Sequence, residues 1–238
     1  MLVTLLLALW SAQAPAPDPR VTIPSGGWIL VGNFRLPPGD APVPAVLMLN
    51  GAAHDRRAYV ALAAELTARG IASLRLDLRG EGESTNLGRF EPGQQNPLLA
   101  GEDRDVVAAL AWLRSQPRVE GSRVGVLGAS YSGESMAVAA RAGAAASAYV
   151  ALSPGSISED SVRGIDPSGR PWWFIASRHE RFAGAVVEAI PGVSRTARVT
   201  IVEGTSHASD ILSAHANLNA EIADWFAAKL SRRAADRR

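Results

Sequence analysis

An α/β fold, with a mostly parallel sheet of about eight strands flanked by helices and no separate cap domain, is what this chain predicts. Three observations carry that expectation. Continuous apolar runs of strand length, such as Ala45 to Leu49, alternate with segments whose apolar residues recur at helical spacing. The succession strand, helix, strand between Ala45 and Leu76 implies a parallel crossover. Lastly, Val124-Gly125-Val126-Leu127-Gly128-Ala129-Ser130-Tyr131-Ser132-Gly133 reads as a buried strand, a tight turn and the start of a helix continued by Met136 and Val138.

In chain order, Arg20 to Ile23, the turn Pro24-Ser25-Gly26-Gly27 and Trp28 to Arg35 read as a β-hairpin with Trp28, Leu30 and Phe34 on one face. Ala45 to Leu49 is a central strand ending at Asn50-Gly51-Ala52-Ala53. Tyr59, Leu62, Ala63 and Leu66 mark a helix that Gly70 stops before the strand Ile71 to Leu76. A Gly- and charge-rich loop, Asp77 to Asn96, leads into a helix with Val106, Ala109, Leu110 and Leu113 on one face. Glu102 and Asp103 place negative charge at its first turn, where the helix dipole favours it. Ala148 to Leu152 is a strand, Ser153 to Arg170 a polar loop too short for a packed cap, and Trp172 to Ala176 a strand. Phe182, Ala185, Val186 and Ala189 predict a short amphipathic helix, Arg198 to Val202 the last strand, and Leu218, Ile222, Trp225 and Phe226 the closing helix.

With 238 residues, 47% hydrophobic and 20% charged, the chain suits one globular domain, expected over residues 20–230. A net charge of +1 gives no electrostatic reason to expect nucleic acid. Leu2 to Trp10 is apolar and Ala12-Gln13-Ala14 supplies a small-x-small pattern, so residues 1–14 read as a secretory signal peptide cleaved after Ala14, with 15–19 a Pro-rich linker. A secreted or periplasmic protein is expected, without stable membrane insertion, because that run falls short of the about 20 residues a spanning helix needs. Residues 231–238 read as a solvated basic tail. The absence of cysteine excludes disulfides, a lipoprotein anchor and a thiolate nucleophile.

Ser130 lies at the bend between strand and helix, where its hydroxyl is pushed clear of the sheet and the helix N-terminus favours negative charge in front of it. The motif Gly-x-Ser-x-Gly ends here in Ser132, a small departure at a position where backbones approach closely. Ser132 itself is a poor nucleophile candidate, since Glu134 would then occupy that close approach. A serine needs a base and an acid to orient the base. His207, just past the last strand, is the candidate base, and Glu180, just past the penultimate strand, the candidate acid. The alternatives are Glu159 or Asp160 as the acid, one strand earlier, and Glu180 as a helix N-terminal carboxylate near Arg178 and Arg181. His54 follows an early strand, His179 neighbours the acid, and His215 lies inside the last helix. None has metal-ligand spacing to another, so neither a metal nor another cofactor is expected.

The order Ser130, Glu180, His207 resembles the α/β-hydrolases, and within them the dienelactone-hydrolase-like branch of small enzymes. The resemblance covers most of the chain after residue 20. It rests on Asn50-Gly51-Ala52, Asp77-Leu78-Arg79-Gly80-Glu81-Gly82-Glu83-Ser84, Gly128-Ala129-Ser130-Tyr131-Ser132-Gly133 and Gly204-Thr205-Ser206-His207. It implies an oxyanion hole from the Ala52 and Tyr131 N–H groups, each contributing about 3 kcal/mol to the transition state. It also implies structural roles for Asp77 and Arg79. The family usually has His where Asn50 stands, Gly where Ser132 stands and Asp where Glu180 stands, and dienelactone hydrolases proper use a cysteine this chain lacks.

The function expected is therefore serine hydrolysis of carboxylic esters, or related acyl bonds, of a small soluble substrate at an open site. A serine peptidase or acyltransferase shares the same triad. A catalytically silent binding protein on the same scaffold is the reading from a different class.

Overall fold

The computed structural model describes residues 18–91 and 100–231. The expected signal segment, most of the Pro-rich linker and the basic tail past Ser231 lie outside the described residues.

The hairpin forms as its sequence suggests: β1 (Arg20–Ser25) and β2 (Trp28–Arg35) pair antiparallel across Gly26-Gly27, both at positive φ, the combination a two-residue primed turn requires. β2 then pairs antiparallel with β4 (Ala72–Asp77). From there the sheet is parallel, running β4, β3 (Val43–Leu49), β5 (Val119–Ala129), β6 (Ala148–Leu152), β7 (Trp172–Ser177) and β8 (Arg198–Val202). The chain leaves β3 in one direction, through a 3₁₀ turn and α1 (Val60–Ala68), to reach β4. It returns through α2 (Glu102–Arg114) to β5 on the other side of β3. This reversal makes the C-terminal ends of β3 and β5 the topological switch point, where open α/β sheets bind their ligands.

The sheet is covered on both faces. Along β3, Ala45, Leu47 and Leu49 enter one core and Val46 and Met48 the other, following the period of two of a pleated strand. α2, α3 (Ser132–Arg141) and α6 (Gly184–Ala189) cover the first face through Val106, Leu110, Met136 and Val187. α1, α7 (Asp210–Ala214) and α8 (Asn217–Lys229) cover the second through Leu62, Leu66, Ile211, Ile222 and Phe226. Each such side chain, buried completely, contributes about 1.5–3 kcal/mol of apolar transfer energy.

Four local expectations need correction. β5 starts at Val119, five residues before the apolar run, because Val119 pairs with Val43 across a register shift while Glu120 to Arg123 stay partly exposed. Ser153 to Arg170 is not a plain loop: it holds α4 (Glu159–Arg163) and α5 (Ile165–Ser168), with Val162 and Ile165 buried. α6 begins only at Gly184, and its buried residues are Gly184 and Val187, whereas Phe182 precedes it and is 61% exposed. His215 closes α7 rather than lying in the last helix, with its Nε2 2.9 Å from the Glu203 carbonyl.

Candidate active site

Four described non-glycine residues hold a left-handed φ: Ala53 (62°), Ser130 (54°), Ser153 (48°) and Ala208 (52°). Each follows the C-terminal end of a parallel strand, β3, β5, β6 and β8 in turn. Such a conformation costs a side-chain-bearing residue about 1–2 kcal/mol, so the fold concentrates its backbone strain along one edge of the sheet.

Ser130 is held in that conformation by its neighbours. Its N–H donates to the Leu152 carbonyl at 2.8 Å, and its own carbonyl accepts from Gly133 at 3.0 Å as α3 begins. The side chain is left partly exposed. Ser132 is nearly fully buried, and its hydroxyl donates to the Asn50 carbonyl, tying the elbow helix to the end of β3. A hydroxyl so placed is a brace between loops.

Ser130, His207 and Glu180 form one hydrogen-bonded chain. His207 Nε2 lies 3.1 Å from Ser130 Oγ and His207 Nδ1 lies 2.7 Å from Glu180 Oε2. An ionised carboxylate only accepts, so Nδ1 carries the proton and the Nε2 lone pair faces the serine hydroxyl. The Glu180 side chain is 1% exposed and that of His207 31% exposed. The two loops that carry them are sewn together: Arg178 N–H donates to the Val202 carbonyl at 2.8 Å, His179 N–H to the Gly204 carbonyl at 3.0 Å, and Ser177 Oγ to the Ser206 carbonyl at 2.7 Å. Phe182 meets the His207 ring edge-on with centroids 6.0 Å apart.

The alternative acids stand elsewhere. Glu159 and Asp160 are exposed on α4, where Glu159 pairs with Arg163 at 2.9 Å. Glu180 does not cap α6 and does not meet its arginine neighbours; Arg178 pairs with Glu203 and Glu188.

The loop after β3 comes close to Ser130. A Cβ built on Gly51 would fall 3.2 Å from the Ser130 Cβ and 3.2 Å from the Ala129 carbonyl oxygen, so any larger residue there would have to push its neighbours aside by a few tenths of an ångström. Asn50 organises this loop, accepting from Leu78 N–H at 2.9 Å and donating to the Gly51 and His54 carbonyls at 3.1 and 2.9 Å. Its amide thus bridges the β3 and β4 loops. Among the described residues, no acceptor is bonded to the N–H of Ala52 or Tyr131.

Asp77 is fully buried and bonds Arg56 N–H at 2.7 Å, the Arg56 guanidinium and Glu83 N–H at 2.9 Å. Arg79 grips Asp105 with two bonds of 2.8 and 2.6 Å. Both therefore fasten the loop after β4. Two carboxyls to which the sequence assigned no buried role, Glu81 and Glu102, are buried behind the site. Glu81 accepts the Ala53 N–H at 3.1 Å, and burial pushes it up to about 7. Glu102 accepts from Ser135 of α3 at 2.9 Å, and burial pushes it up to about 8, so it does not supply the anionic first turn expected of it at neutral pH. Burial outweighs the dipole there.

Among the described residues, no group of three or more His, Asp or Glu side chains is placed to hold a metal ion, and no helix is long and apolar enough to cross a membrane.

Residues 27–173 match the X-Pro dipeptidyl-peptidase (S15) family, a stretch that includes Ala52 and Ser130 and ends before Glu180 and His207. An uncharacterized Mycobacterium tuberculosis protein is 31% identical over 158 residues, 59% of this chain and 51% of its own. A 31.7 kDa Escherichia coli protein encoded between traX and finO is 28% identical over 103 residues, 42% of this chain and 34% of its own. The chain spans about half the length of the M. tuberculosis relatives it matches. Among solved structures, dienelactone hydrolase from Anabaena variabilis superposes with a TM-score of 0.66 at 22% identity, covering 89% of this chain and 95% of its own. Est1E from Butyrivibrio proteoclasticus gives 0.68 at 16%, covering 88% and 99%. A Xanthomonas campestris α/β serine hydrolase described as having no lid gives 0.60 at 18%, covering 88% and 96%.

Proposed function

We propose, from the premise that this chain belongs to the X-Pro dipeptidyl-peptidase (S15) family within the α/β-hydrolase superfamily, that it is a serine hydrolase cleaving carboxylic esters of small acyl substrates. The observation that carries this reading is the hydrogen-bonded chain from Ser130 through His207 to buried Glu180.

In the proposed reaction Ser130 Oγ attacks the ester carbonyl carbon while its proton passes to His207 Nε2. Glu180 stabilises the imidazolium through Nδ1–H. The negative charge that forms on the carbonyl oxygen is met by the N–H groups of Ala52 and Tyr131 and by the N-terminal end of α3. The C–O bond then breaks, and the leaving alcohol takes the proton from Nε2. Water, deprotonated by the same nitrogen, attacks the acyl-Ser130 ester and releases the acid.

The family match favours a second reading, a peptidase acting on X-Pro peptides through the same residues. A fluorophosphonate probe, a panel of p-nitrophenyl esters of increasing acyl length and an X-Pro-p-nitroanilide separate the readings. We expect labelling that Ser130→Ala abolishes, turnover of short-chain esters, and slower turnover of long chains. Labelling that persists in Ser130→Ala contradicts the nucleophile; turnover of the anilide alone makes the peptidase reading the correct one. Export with cleavage after Ala14 is proposed from the first fourteen residues, and N-terminal sequencing of the native protein tests it; a retained Met1 contradicts it.

A further inference from the structure

We propose that Glu81 is a positioning residue for oxyanion binding: its carboxylate takes the Ala53 N–H and thereby holds the preceding Ala52 N–H on the side of Ser130. The inference rests on the reading of Ser130 as nucleophile.

The orientation of the loop follows from which side of each peptide is anchored. The Gly51 carbonyl accepts from Asn50 Nδ2 and from His54 N–H, both at 3.1 Å. The Ala52 carbonyl lies 3.0 Å from His54 Nδ1. No cis peptide occurs among the described residues, and a trans peptide points its N–H away from its carbonyl. The Ala52 N–H therefore faces away from Asn50 and the His54 N–H, and the Ala53 N–H faces away from the His54 ring, where Glu81 Oε1 receives it at 3.1 Å. Asn50 and His54 hold the carbonyl sides, and Glu81 holds an N–H side.

This grip matters because Ala53 sits at a φ of 62°, a conformation an alanine leaves when nothing restrains it. Rotation of the Ala52-Ala53 peptide pulls on the Ala52 Cα and strains the two bonds that hold the Gly51 carbonyl, and through the Gly51-Ala52 peptide it tilts the Ala52 N–H off the position of the developing oxyanion. Glu81 is itself fixed. Its N–H donates to the Leu78 carbonyl at 3.0 Å, its carbonyl accepts from Ser84 at 2.8 Å, and the residue is 5% exposed. It borders a cavity of about 400 Å³ shared with Ala53 and His54. The titratable groups facing it are Asp77 at the end of β4, His54 on the loop after β3, Arg89 and Glu102 of α2. With or without its proton, a carboxyl keeps an oxygen lone pair for the Ala53 N–H, so the role belongs to the acceptor and not to the charge.

Two conservative variants separate these. Glu81→Gln keeps the length and an acceptor oxygen and removes the charge; Glu81→Asp keeps the charge and withdraws the oxygen by one methylene. Wild type, both variants and Glu81→Ala, as full-length proteins, are assayed on p-nitrophenyl acetate and with a trifluoromethyl ketone, whose tetrahedral adduct places an oxyanion in the hole. In Glu81→Asp and Glu81→Ala we expect kcat to fall about 10- to 100-fold with KM within about twofold, and Glu81→Gln to stay within about threefold of wild type. The ketone Ki rises in step with the loss of kcat/KM across the series. If Glu81→Ala fails to fold by circular dichroism, the Asp and Gln pair decides. An active Asp variant beside a crippled Gln variant overturns the proposal, as does a fall in kcat with an unchanged Ki or wild-type rates throughout. Failure of fluorophosphonate to label wild type overturns the reading of Ser130 and this inference with it.

Discussion

Glu180 carries the strictest geometric demand at the site, because one carboxylate oxygen meets His207 at 2.7 Å and the other, fully buried, has no hydrogen-bond partner among the described residues. Everything its charge does is done through the imidazole. Glu180→Gln keeps the shape, removes that charge and presents an amide N–H that favours the wrong tautomer, so kcat should fall by about two to four orders of magnitude with little change in KM. Glu159→Gln and Asp160→Asn, both at exposed positions of α4, should match wild type. Full activity in Glu180→Gln would refute the assignment. A second residue-scale prediction concerns Glu102, pushed from 4.5 up to about 8 by burial. Between those values the native state binds more protons than the unfolded chain, so this stabilisation is complete below about 4.5 and is lost as pH rises through about 8. Wild-type Tm should therefore decline between about pH 5 and pH 9, and Glu102→Gln should decline less; equal slopes in calorimetric scans contradict the assignment. The burial of Glu81 and of Glu102 was not legible in the sequence. A glutamate in a Gly-rich loop or at a helix start is normally solvated, and only the packed neighbours reveal otherwise.

At the scale of elements, legibility followed length and burial. β3, β7 and α8 were readable because a continuous apolar run or a repeated helical spacing extends over enough residues to exclude the alternatives. α4 and α5 were not, since helices of five and four residues complete barely one turn and show no period. Their stability comes from docking. Glu134 of α3 accepts from Ser158 N–H at 2.8 Å and from the hydroxyls of Ser158 and Ser161, both at 3.0 Å. Three contacts thus fasten α4 to the helix that follows Ser130. Glu134→Ala should raise amide hydrogen exchange across Ile157 to Gly164 while leaving β6 protected; unchanged protection there would mean that Val162 and Ile165 alone hold the segment. The same fastening, with Val162 and Ile165 buried, ties the segment between β6 and β7 to the body of the fold.

At the scale of the whole molecule, the sequence order put Ser130, Glu180 and His207 past the C-terminal ends of their strands, and the structure brings the three together there because strand and helix alternate from β3 onward, and alternation with right-handed crossovers leaves few topologies. What no local pattern disclosed was the position of β8 as an edge strand, whose residues are at most partly buried. This has a consequence for heat. The loops bearing Glu180 and His207 are bonded to each other through Arg178, His179 and Ser177, so the Glu180–His207 pair is tied to the ends of β7 and β8. Ser130 follows β5 at the centre of the sheet, between β3 and β6. Warming frays an edge before it melts a centre. The 3.1 Å contact between His207 and Ser130 is the seam between the two, and it should part while the acid and base remain paired. Ester turnover should then fade, reversibly on cooling, at temperatures where near-ultraviolet circular dichroism still reports an intact core; coincident midpoints for the two signals would show that edge and centre melt together.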